Sequence, residues 1–210
     1  MDITAISDLH GHYPELEGGD LLIVGGDLTS QDTQKQHLRF LHWLGEQDYK
    51  RKIWIAGNHD NYLLNTKFIS LQDLGMEYLC DSGTEFEGLK IWGSPWTLKF
   101  YGMNPKCMAY TCETEEDLNQ KWKKIPDDID ILITHSPFYG VLDEVKMKQR
   151  HAGSSSLREH VLGRIKPKLH IVGHIHDGHG MAVIDSSKIV NASLVNEYYE
   201  PENEPIRIIL

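Results

Sequence analysis

Five short stretches of the sequence place histidine, aspartate or asparagine directly after an apolar run. They read SDLHGH (7–12), VGGDLTS (24–30), IAGNHDN (55–61), LITHSP (132–137) and IVGHIHDGH (171–179). Carboxylate and amide oxygens suit hard cations, while imidazole suits iron, zinc and manganese-like ions, so this combination is typical of a metal site. Any one stretch alone is weak evidence, because turns and helix caps use the same residue types. Together, and in this order, the five stretches predict a shared cation-binding centre.

The apolar runs that precede these stretches predict buried β-strands. Each run is continuous and is bounded by glycine or turn residues: 3–7, 21–26, 53–57, 131–134 and 169–173. Helical patterns lie between them, with three- and four-residue apolar spacing over 34–46. Capping-box spacing predicts two more helices, one from Thr114 through Trp122 and one from Ser156 ending before Pro167. Strands that alternate with helices predict an α/β fold, in which ligands bind beyond the carboxyl ends of the strands.

The C-terminal part of the chain follows a different pattern. Short strands are predicted at 181–185, 188–193 and 206–210, with turn residues between the first two. This pattern predicts a second, more antiparallel sheet. The sequence contains no linker, internal repeat or low-complexity tract, so we expect a single domain over residues 1–210.

The composition is that of a globular chain without a membrane span. Its 210 residues are 40% hydrophobic and 25% charged, and no apolar run approaches the ~20 residues that a transmembrane helix needs. No basic region precedes an apolar one at the N-terminus, so we expect no signal peptide. Three cysteines, Cys80, Cys107 and Cys112, argue against a disulfide framework and against a thiolate zinc site. Free thiols suit a reducing compartment, and we therefore expect a cytoplasmic protein.

The net charge of −10 narrows the choice of partners. An acidic surface repels polynucleotide phosphates, and the sequence has no basic stripe, so long nucleic acids are disfavoured. Two bound divalent cations would offset part of this charge and concentrate positive charge in one cleft. The sequence therefore favours a small phosphate ester or nucleotide as the partner, with no membrane, and leaves the oligomeric state open.

The order and spacing of the polar residues resemble the five signature blocks of the calcineurin-like metallophosphoesterases. The matching residues are Asp8-x-His10, Gly26-Asp27, Gly57-Asn58-His59-Asp60, His135 and Gly173-His174-x-His176. The match covers nearly the whole chain. The stretch 91–104 and the tail 190–210 are similar to the small MPPED-type branch, which hydrolyses phosphodiesters, including cyclic nucleotides. The resemblance implies a four-layer α/β/β/α sandwich of two mixed β-sheets flanked by helices.

The resemblance also implies a role for each matching residue. Two divalent metal ions would be bound, and manganese (Mn²⁺), iron (Fe²⁺ or Fe³⁺) and zinc (Zn²⁺) all suit oxygen and nitrogen ligands. The first ion would be held by Asp8, His10, Asp27 and His176. The second would be held by Asp27, Asn58, His135 and His174, so that Asp27 bridges the pair. One departure is Phe138, which stands where the family often has a second proline after the histidine of the fourth stretch.

Such a centre suits the hydrolysis of an anionic phosphodiester. Two metals about 3.5–4 Å apart stabilise the attacking and leaving oxygens, and they lower the pKa of bound water from ~15.7 towards ~7. We therefore expect in-line attack by a metal-held hydroxide. The resemblance implies that His59 lies beside the metals without ligating them and acts as the general acid that protonates the leaving oxygen. Asp60 is a second catalytic candidate, as a group that orients His59, with a structural role as the alternative.

Asn58, His59 and Trp96 are the residues that we expect to contact the substrate. Trp96, Phe100 and Tyr101 offer rings on which a base would stack. The alternative for these aromatic residues is that they pack in the core beneath the site.

Three other functions stay open at this point. A phosphomonoesterase or protein phosphatase on the same centre would favour a basic pocket, yet no arginine lies within the five stretches. A nuclease is disfavoured by the acidic net charge, and a non-catalytic scaffold by the intact set of ligands. The sequence therefore predicts a metal-dependent phosphodiesterase that acts on small nucleotides, cyclic ones included.

Overall fold

Two packed β-sheets form the centre of the computed structural model, which describes residues 1–64, 75–99, 102 and 104–210. In chain order the strands are β1 (Asp2–Ile6), β2 (Gly19–Val24), β3 (Tyr49–Trp54), β4 (Met76–Tyr78), β5 (Ser82–Phe86), β6 (Leu89–Ser94), β7 (Thr97–Leu98), β8 (Thr111–Cys112), β9 (Ile131–Thr134), β10 (Glu144–Val145), β11 (Arg150–His151), β12 (Leu169–Val172), β13 (Gly180–Ile184), β14 (Ser187–Asn191) and β15 (Ile206–Ile209). The α-helices are α1 (Gln34–Glu46), α2 (Asn61–Leu64), α3 (Glu115–Trp122) and α4 (Ser155–His160), and a π-helical turn at Val161–Ile165 continues α4. Every apolar run expected to form a strand overlaps one, although β3 ends at Trp54 and only the first two residues of the run 53–57 belong to it.

Both large sheets are mixed. The first has the order β15-β1-β2-β3-β4, in which β1 to β4 are parallel and β15 is antiparallel to β1. The second has the order β13-β14-β12-β9-β6-β5, with antiparallel strands at its two edges. The expected second, more antiparallel sheet at the C-terminus holds only for β13 and β14, which pair antiparallel at one edge of the second sheet. β15 pairs with β1 in the first sheet, while β14 runs parallel to β12 in the second.

Alternation of side chains along the strands builds four layers. In β1, Ile3 and Ala5 enter the core between the sheets, whereas Ile6 belongs to a second core together with Phe40 and Leu44 of α1. The second sheet repeats this arrangement, because β9 shares its side chains between the central core and a third core formed with α3 and α4. Successive residues of a strand point to opposite faces, so a strand covered on both sides must be apolar throughout. The predicted α/β/β/α sandwich is confirmed.

The helices are short, and side-chain caps fix where they begin. Thr114 and Asp117 form a reciprocal capping box at the start of α3, as the sequence predicts. For α4 the predicted cap, Ser156, is wrong. Ser154 has the extended backbone of a cap residue and accepts a hydrogen bond from the Leu157 amide at 3.1 Å, while Ser156 lies inside the first turn. No helix in the described part of the chain is long and apolar enough to cross a bilayer.

A buried histidine in β12 connects the stability of the fold to pH. The His170 side chain is fully buried, and its Nε2 lies 2.8 Å from Thr134 Oγ1. The Thr134 hydroxyl donates to the Ser136 carbonyl at 2.7 Å, so His170 must donate to Thr134 through a protonated Nε2. Burial lowers the pKa of His170 to about 3, because a second proton would place an uncompensated charge in the core.

We expect His170→Leu to make the unfolding free energy of the metal-free protein less dependent on pH. The pKa of His170 falls from its ordinary value of 6.5 to about 3 on folding, so the unfolded chain binds the extra proton in this window. Native stability therefore decreases as the pH falls through it, by up to about 1.4 kcal/mol per pH unit from this residue. Urea unfolding at several pH values measures the slope. His42→Leu, a change at an exposed position, serves as control, and an equal slope in both variants would contradict the prediction.

Candidate metal centre

The carboxyl ends of parallel strands from both sheets meet at one edge of the sandwich. Within the first sheet, the Asp8 amide donates to the Gly26 carbonyl at 2.9 Å. Within the second, the Gly173 amide donates to the His135 carbonyl at 3.1 Å. The first residue after β1, Ser7, forms a parallel bridge to Ser193 beyond β14 and so joins the two sheets. The five polar stretches of the sequence therefore lie side by side.

The side chains of these stretches form three overlapping groups of donor atoms. In each group the nitrogen and oxygen atoms lie within 4.8 Å of one another. The groups are Asp8 with His10 and His176, His10 with Asp27 and His59, and Asp8 with Asp27 and His135. Because the groups share members, they form one continuous cluster.

Asp27 occupies the middle of this cluster. Its Oδ2 lies 3.4 Å from His135 Nε2, 3.8 Å from His10 Nε2 and 3.9 Å from His59 Nε2. Its Oδ1 accepts a hydrogen bond from the His59 amide at 2.8 Å. Asn58 Oδ1 lies 3.1 Å from His135 Nε2 and so joins the same group. A single carboxylate is thus shared by donors from three different loops.

Hydrogen bonds from outside the cluster orient the remaining donors. His135 Nδ1 bonds to the Gly25 carbonyl at 2.9 Å, and His176 Nδ1 bonds to the Asn196 carbonyl at 2.9 Å. A carbonyl only accepts, so both rings carry the proton on Nδ1 and turn Nε2 towards the cluster. Asn58 donates its amide to the Cys107 carbonyl at 3.1 Å, which turns its oxygen inward. His135, His176 and Asn58 are thus held with their free nitrogen or oxygen turned towards the cluster, as metal-binding side chains are.

Asp8 is held in place by two neighbours. The Ser193 hydroxyl donates to its Oδ2 at 2.8 Å, and the His174 amide donates to both carboxylate oxygens at 3.0 Å. Its Oδ1 also lies 3.4 Å from His176 Nε2. His174 itself lies against His135, with ring centroids 5.1 Å apart. Asp8, from the first polar stretch, therefore contacts both His174 and His176, from the last one.

Four of the cluster residues have backbones in the left-handed region. The φ angles are 52° at Asp8, 42° at His10, 53° at Asp27 and 67° at His174. Non-glycine residues rarely adopt such angles, and they persist where surrounding contacts over-determine the conformation. The hydrogen bonds to the Asp8 and Asp27 carboxylates provide such contacts. Part of the backbone strain of the chain thus lies at residues that carry the donor atoms.

Burial and proximity shift the pKa values of the cluster in opposite directions. Burial lowers the pKa of His10 to about 4 and that of His174 to about 3, so both rings are neutral at pH 7. Burial also opposes ionisation of Asp8 and Asp27, but the neighbouring histidines outweigh it and hold both pKa values below the ordinary range. For His135 burial opposes the charged form, but the charge and hydrogen bond of Asp27, the charge of Asp8 and the Gly25 carbonyl together raise the pKa to about 9. Neutral His10 and His174 beside the ionised Asp8 and Asp27 are in the protonation states that bind cations, whereas His135 must lose its extra proton to bind one.

The donor set fits divalent cations. His10 Nε2 is buried and has no hydrogen-bond partner among the described residues. Buried polar atoms normally have a partner, so this nitrogen, aimed at the Asp27 carboxylate, suits a metal ligand. Imidazole, carboxylate and amide donors without thiolate suit manganese, iron or zinc.

His59 lies at the mouth of the cluster. Its side chain is 18% exposed and lines a cavity of about 730 Å³ together with Asp27, Asn58 and His176. Its Nδ1 is 3.4 Å from the Cys107 sulfur, which fixes the plane of the ring. His59 thus lies beside the donor atoms and, like Asp27, Asn58, His174 and His176, in contact with the cavity.

Asp60 differs from its catalytic prediction. The side chain is fully buried, and its carboxylate accepts hydrogen bonds from the backbone amides of Gly57 at 2.8 Å and Leu28 at 3.1 Å. Burial and the neighbouring Asp27 charge raise its pKa well above the ordinary value. Asp60 therefore joins the loops after β2 and β3 through their backbone amides, and among the described residues its carboxylate has no hydrogen bond to the His59 ring. It is a structural residue without access to the cavity.

Trp96 also differs from its predicted role in substrate binding. Its indole nitrogen donates to Asp81 at 3.0 Å, and the Lys121 ammonium lies 3.4 Å from the ring centroid. The ring packs edge-on against Tyr110 and lies outside the cavity lining. The alternative, a packing role, describes this residue. Phe100 and Tyr101 lie outside the described residues.

Two residues near the centre were missed by the sequence analysis. Tyr199 places its ring 4.7 Å from the His10 ring and 5.3 Å from the His176 ring, and it lines the cavity. Cys107 supports both Asn58 and His59, as described above. Tyr199 follows the predicted strand 188–193, so it too comes after a strand end. Nothing comparable marks Cys107, because its contacts depend on a loop distant in sequence.

The sequence matches a known family across most of its length. The calcineurin-like phosphoesterase model matches residues 1–178. The chain belongs to the calcineurin-like phosphoesterase family. Human and mouse metallophosphoesterase domain-containing protein 1 are each 34% identical to it over 233 aligned residues, which cover 99% of this chain and 70% of those proteins. The MPPED-type resemblance is therefore confirmed, and the chain is a metal-dependent phosphoester hydrolase.

Solved structures show the same fold. The phosphopantetheinyl hydrolase PptH of Mycobacterium tuberculosis has a TM-score of 0.62 at 16% identity, covering 99% of this chain and 95% of that one. The protein TT1561 of Thermus thermophilus has a TM-score of 0.63 at 18% identity, covering 90% and 88%. At such low identity these similarities concern the architecture of the phosphoesterase alone.

We expect Gly57→Ala to weaken cation binding by this phosphoesterase about 10–100-fold. A Cβ atom at Gly57 would lie 2.2 Å from Asp27 Oδ1 and 2.6 Å from His135 Cε1, so both donors must move. Elemental analysis after dialysis against graded cation concentrations measures the loss. Gly163→Ala is the matched control, since nothing lies within 4 Å of its added Cβ. Equal cation affinity in the two variants would contradict the prediction.

Proposed function

We propose that this phosphoesterase hydrolyses phosphodiesters of small nucleotides, cyclic ones included. In this proposal two divalent cations are held by Asp8, His10, Asp27, Asn58, His135, His174 and His176. The observation that carries the proposal is the position of His59, which borders both the donor cluster and the cavity. A proton donor at that place suits the departure of an alkoxide.

The residues of the chain have distinct tasks in this reaction. Two bound cations would supply Lewis acidity to the phosphate oxygens and lower the pKa of water. Asp27, at the centre of the cluster, would hold both cations in register, and Asn58 would add a neutral oxygen and contact the substrate. The His59 ring, fixed by Cys107, would deliver the proton to the leaving oxygen.

The charge around the cluster favours a diester over a monoester. Among the described residues, the groups within salt-bridge distance of Asp8 and Asp27 are imidazoles, with no lysine or arginine. A diester carries one negative charge, whereas a monoester at neutral pH carries nearly two. The second charge of a monoester would lack a fixed cationic side chain at the centre.

The size of the cavity supports a nucleotide substrate. Its volume of about 730 Å³ falls within the range of roughly 300–1,000 Å³ that is usual for small-molecule sites. Tyr199, half-exposed beside His10, offers an aromatic wall. Together these features leave room for a nucleoside attached to the scissile phosphate.

A substrate panel tests the proposal. Metal-stripped protein, with Mn²⁺, Fe²⁺ or Zn²⁺ added back singly, is assayed on bis(p-nitrophenyl) phosphate, p-nitrophenyl phosphate, cyclic nucleotides and labelled single-stranded RNA and DNA. We expect kcat/KM for the diester to exceed that for the monoester at least about tenfold, a difference of about 1.4 kcal/mol. A preference for the monoester would assign a phosphomonoesterase, and degradation of long strands would assign a nuclease.

The three cysteines support a reducing location as part of the proposal. Cys80, Cys107 and Cys112 are free, and the latter two are buried. Burial raises the pKa of both buried thiols, which makes them unreactive near neutral pH. Free thiols suit the cytoplasm, where we place the protein together with its small-molecule substrate.

A further inference from the structure

A basic hairpin borders the cavity of this acidic protein. The segment from β10 to β11 contains Lys146, Lys148 and Arg150 within five residues, in a chain of net charge −10. Lys148 and Arg150 line the cavity that also contains His59. Cations gathered at one wall of a cleft attract anions into it more strongly than cations scattered over a surface.

The hairpin is anchored at its base. Asp143 is buried and accepts hydrogen bonds from His151 Nδ1 at 2.6 Å and from the Gly153 amide at 2.8 Å. In the register of the hairpin Val145 lies directly opposite Arg150, and both line the cavity. Directly opposite residues of an antiparallel pair share one face, so the pairing holds Arg150 towards the cavity.

The hairpin is also joined to the metal centre. Asp177, the residue after His176, accepts a hydrogen bond from the Lys146 amide at 3.0 Å. The Lys146 ammonium lies 4.0 Å from the same carboxylate and offsets its charge. The basic hairpin therefore contacts the residue next to His176, a predicted metal ligand.

Arg150 is the cation of this hairpin that faces the cavity and forms no ion pair with a described residue. Within the described ranges no acidic side chain lies within salt-bridge distance of it, whereas Lys99, across the cavity lining, pairs with Glu113 at 2.5 Å. Glu197 is a further acid in the lining, on the loop that carries Tyr199. A guanidinium group presents parallel N–H donors that match a phosphate.

We propose that Arg150, assisted by Lys148, binds a second phosphate of the substrate, distinct from the phosphate that is cleaved. This inference rests on the proposed function and narrows it to nucleotides that carry an additional phosphate group. The metal centre then takes the singly charged diester, while the hairpin takes the more highly charged terminal phosphate.

A matched pair of substrates tests the subsite. Thymidine 5′-(p-nitrophenyl phosphate) is compared with the same compound phosphorylated at its 3′ oxygen, so that chromophore and leaving group are identical. We expect wild-type kcat/KM to be about tenfold higher for the phosphorylated compound. Arg150→Gln should abolish this preference and leave bis(p-nitrophenyl) phosphate hydrolysis unchanged. Lys35→Gln, an exposed change of the same charge on α1, should keep the preference.

A binding measurement separates the subsite from the reaction. Calorimetric titration with thymidine 3′,5′-bisphosphate and thymidine 5′-monophosphate needs no turnover, so the preference for the bisphosphate should appear even if diester hydrolysis fails. Higher salt should reduce that preference by screening. Equal affinity for the two nucleotides in wild type, or an Arg150→Gln variant that keeps the preference, would overturn the proposal while leaving the phosphodiesterase assignment intact.

Discussion

Asp27→Asn is expected to remove both cations and to lower kcat/KM for a phosphodiester by about 10³-fold or more. Asp27 Oδ2 lies within 3.9 Å of three imidazole nitrogens, so the carboxylate is shared across the cluster. The asparagine oxygen still accepts the His59 amide, and the change therefore tests charge rather than shape. Losing cations costs several kcal/mol of transition-state stabilisation, at about 1.4 kcal/mol for each factor of ten. Elemental analysis and bis(p-nitrophenyl) phosphate kinetics measure the two losses.

Asp20→Asn is the matched control for this prediction. Asp20 lies in β2, the strand that precedes Asp27, at the end opposite to the metal centre, where it pairs with Lys50 at 2.7 Å. We expect this variant to keep its cations and its activity. If Asp27→Asn retained two cations per chain, Asp27 would not be the shared ligand, and the arrangement of the whole centre would need revision.

His59→Gln is expected to lower kcat about 10²–10⁴-fold while cation content stays unchanged. His59 lines the cavity, and its Nε2 is 3.9 Å from Asp27 Oδ2. In the proposed mechanism the ring gives a proton to the leaving oxygen and does not ligate either cation. A glutamine keeps the approximate size and the backbone bond to Asp27 but cannot serve as a general acid.

The leaving group distinguishes an acid from a residue that only shapes the site. The loss in His59→Gln should be large for an alkyl leaving group, which needs a proton, and smaller for p-nitrophenolate, which departs without one. His42→Gln on the exposed face of α1 should change neither rate. An equal loss for both leaving groups, or depletion of cations in His59→Gln, would contradict the role of general acid.

Most of the layered fold could be predicted because its signals are local. The runs around Ile3, Leu22 and Ile133 are apolar on both faces, and each one forms a strand covered on both sides. The helix 34–46 has the predicted bounds, since its apolar spacing is long and regular. The α/β/β/α sandwich was predicted from the family resemblance, because the periodicity of the sequence alone does not specify how the layers stack.

Non-local pairing explains the errors in the C-terminal region. The residues of β15 have the pattern of a strand, but they do not indicate its partner, which is β1 at the other end of the chain. The β5–β6 hairpin was not predicted, although Glu87 and Gly88 at its turn both have positive φ angles. Its strands mix exposed polar residues with Ile91 and Gly93, so the alternation that marks a strand is weak there.

The sequence was enough to predict which residues form the candidate site, but not which neighbours each side chain contacts. Residue types and order were enough to select Asp8, Asp27 and His135, which the fold brings into one cluster. Whether a carboxylate faces the cavity or the backbone is decided by its neighbours, and Asp60 faces two amides. Trp96 was misassigned for the same reason, because its partner Asp81 lies in a separate loop.

The hydrogen bond between Asp8 and Ser193 has a consequence for biosynthesis. Asp8 receives its hydrogen bond from Ser193, 185 residues later in the chain. At about 5–20 residues per second, roughly 10–40 s separate the translation of these two residues. A ribosome-bound nascent chain therefore carries its first carboxylates and imidazoles long before their final geometry exists. The complete geometry of the centre therefore requires that Ser193 has been synthesised and has docked beside Asp8.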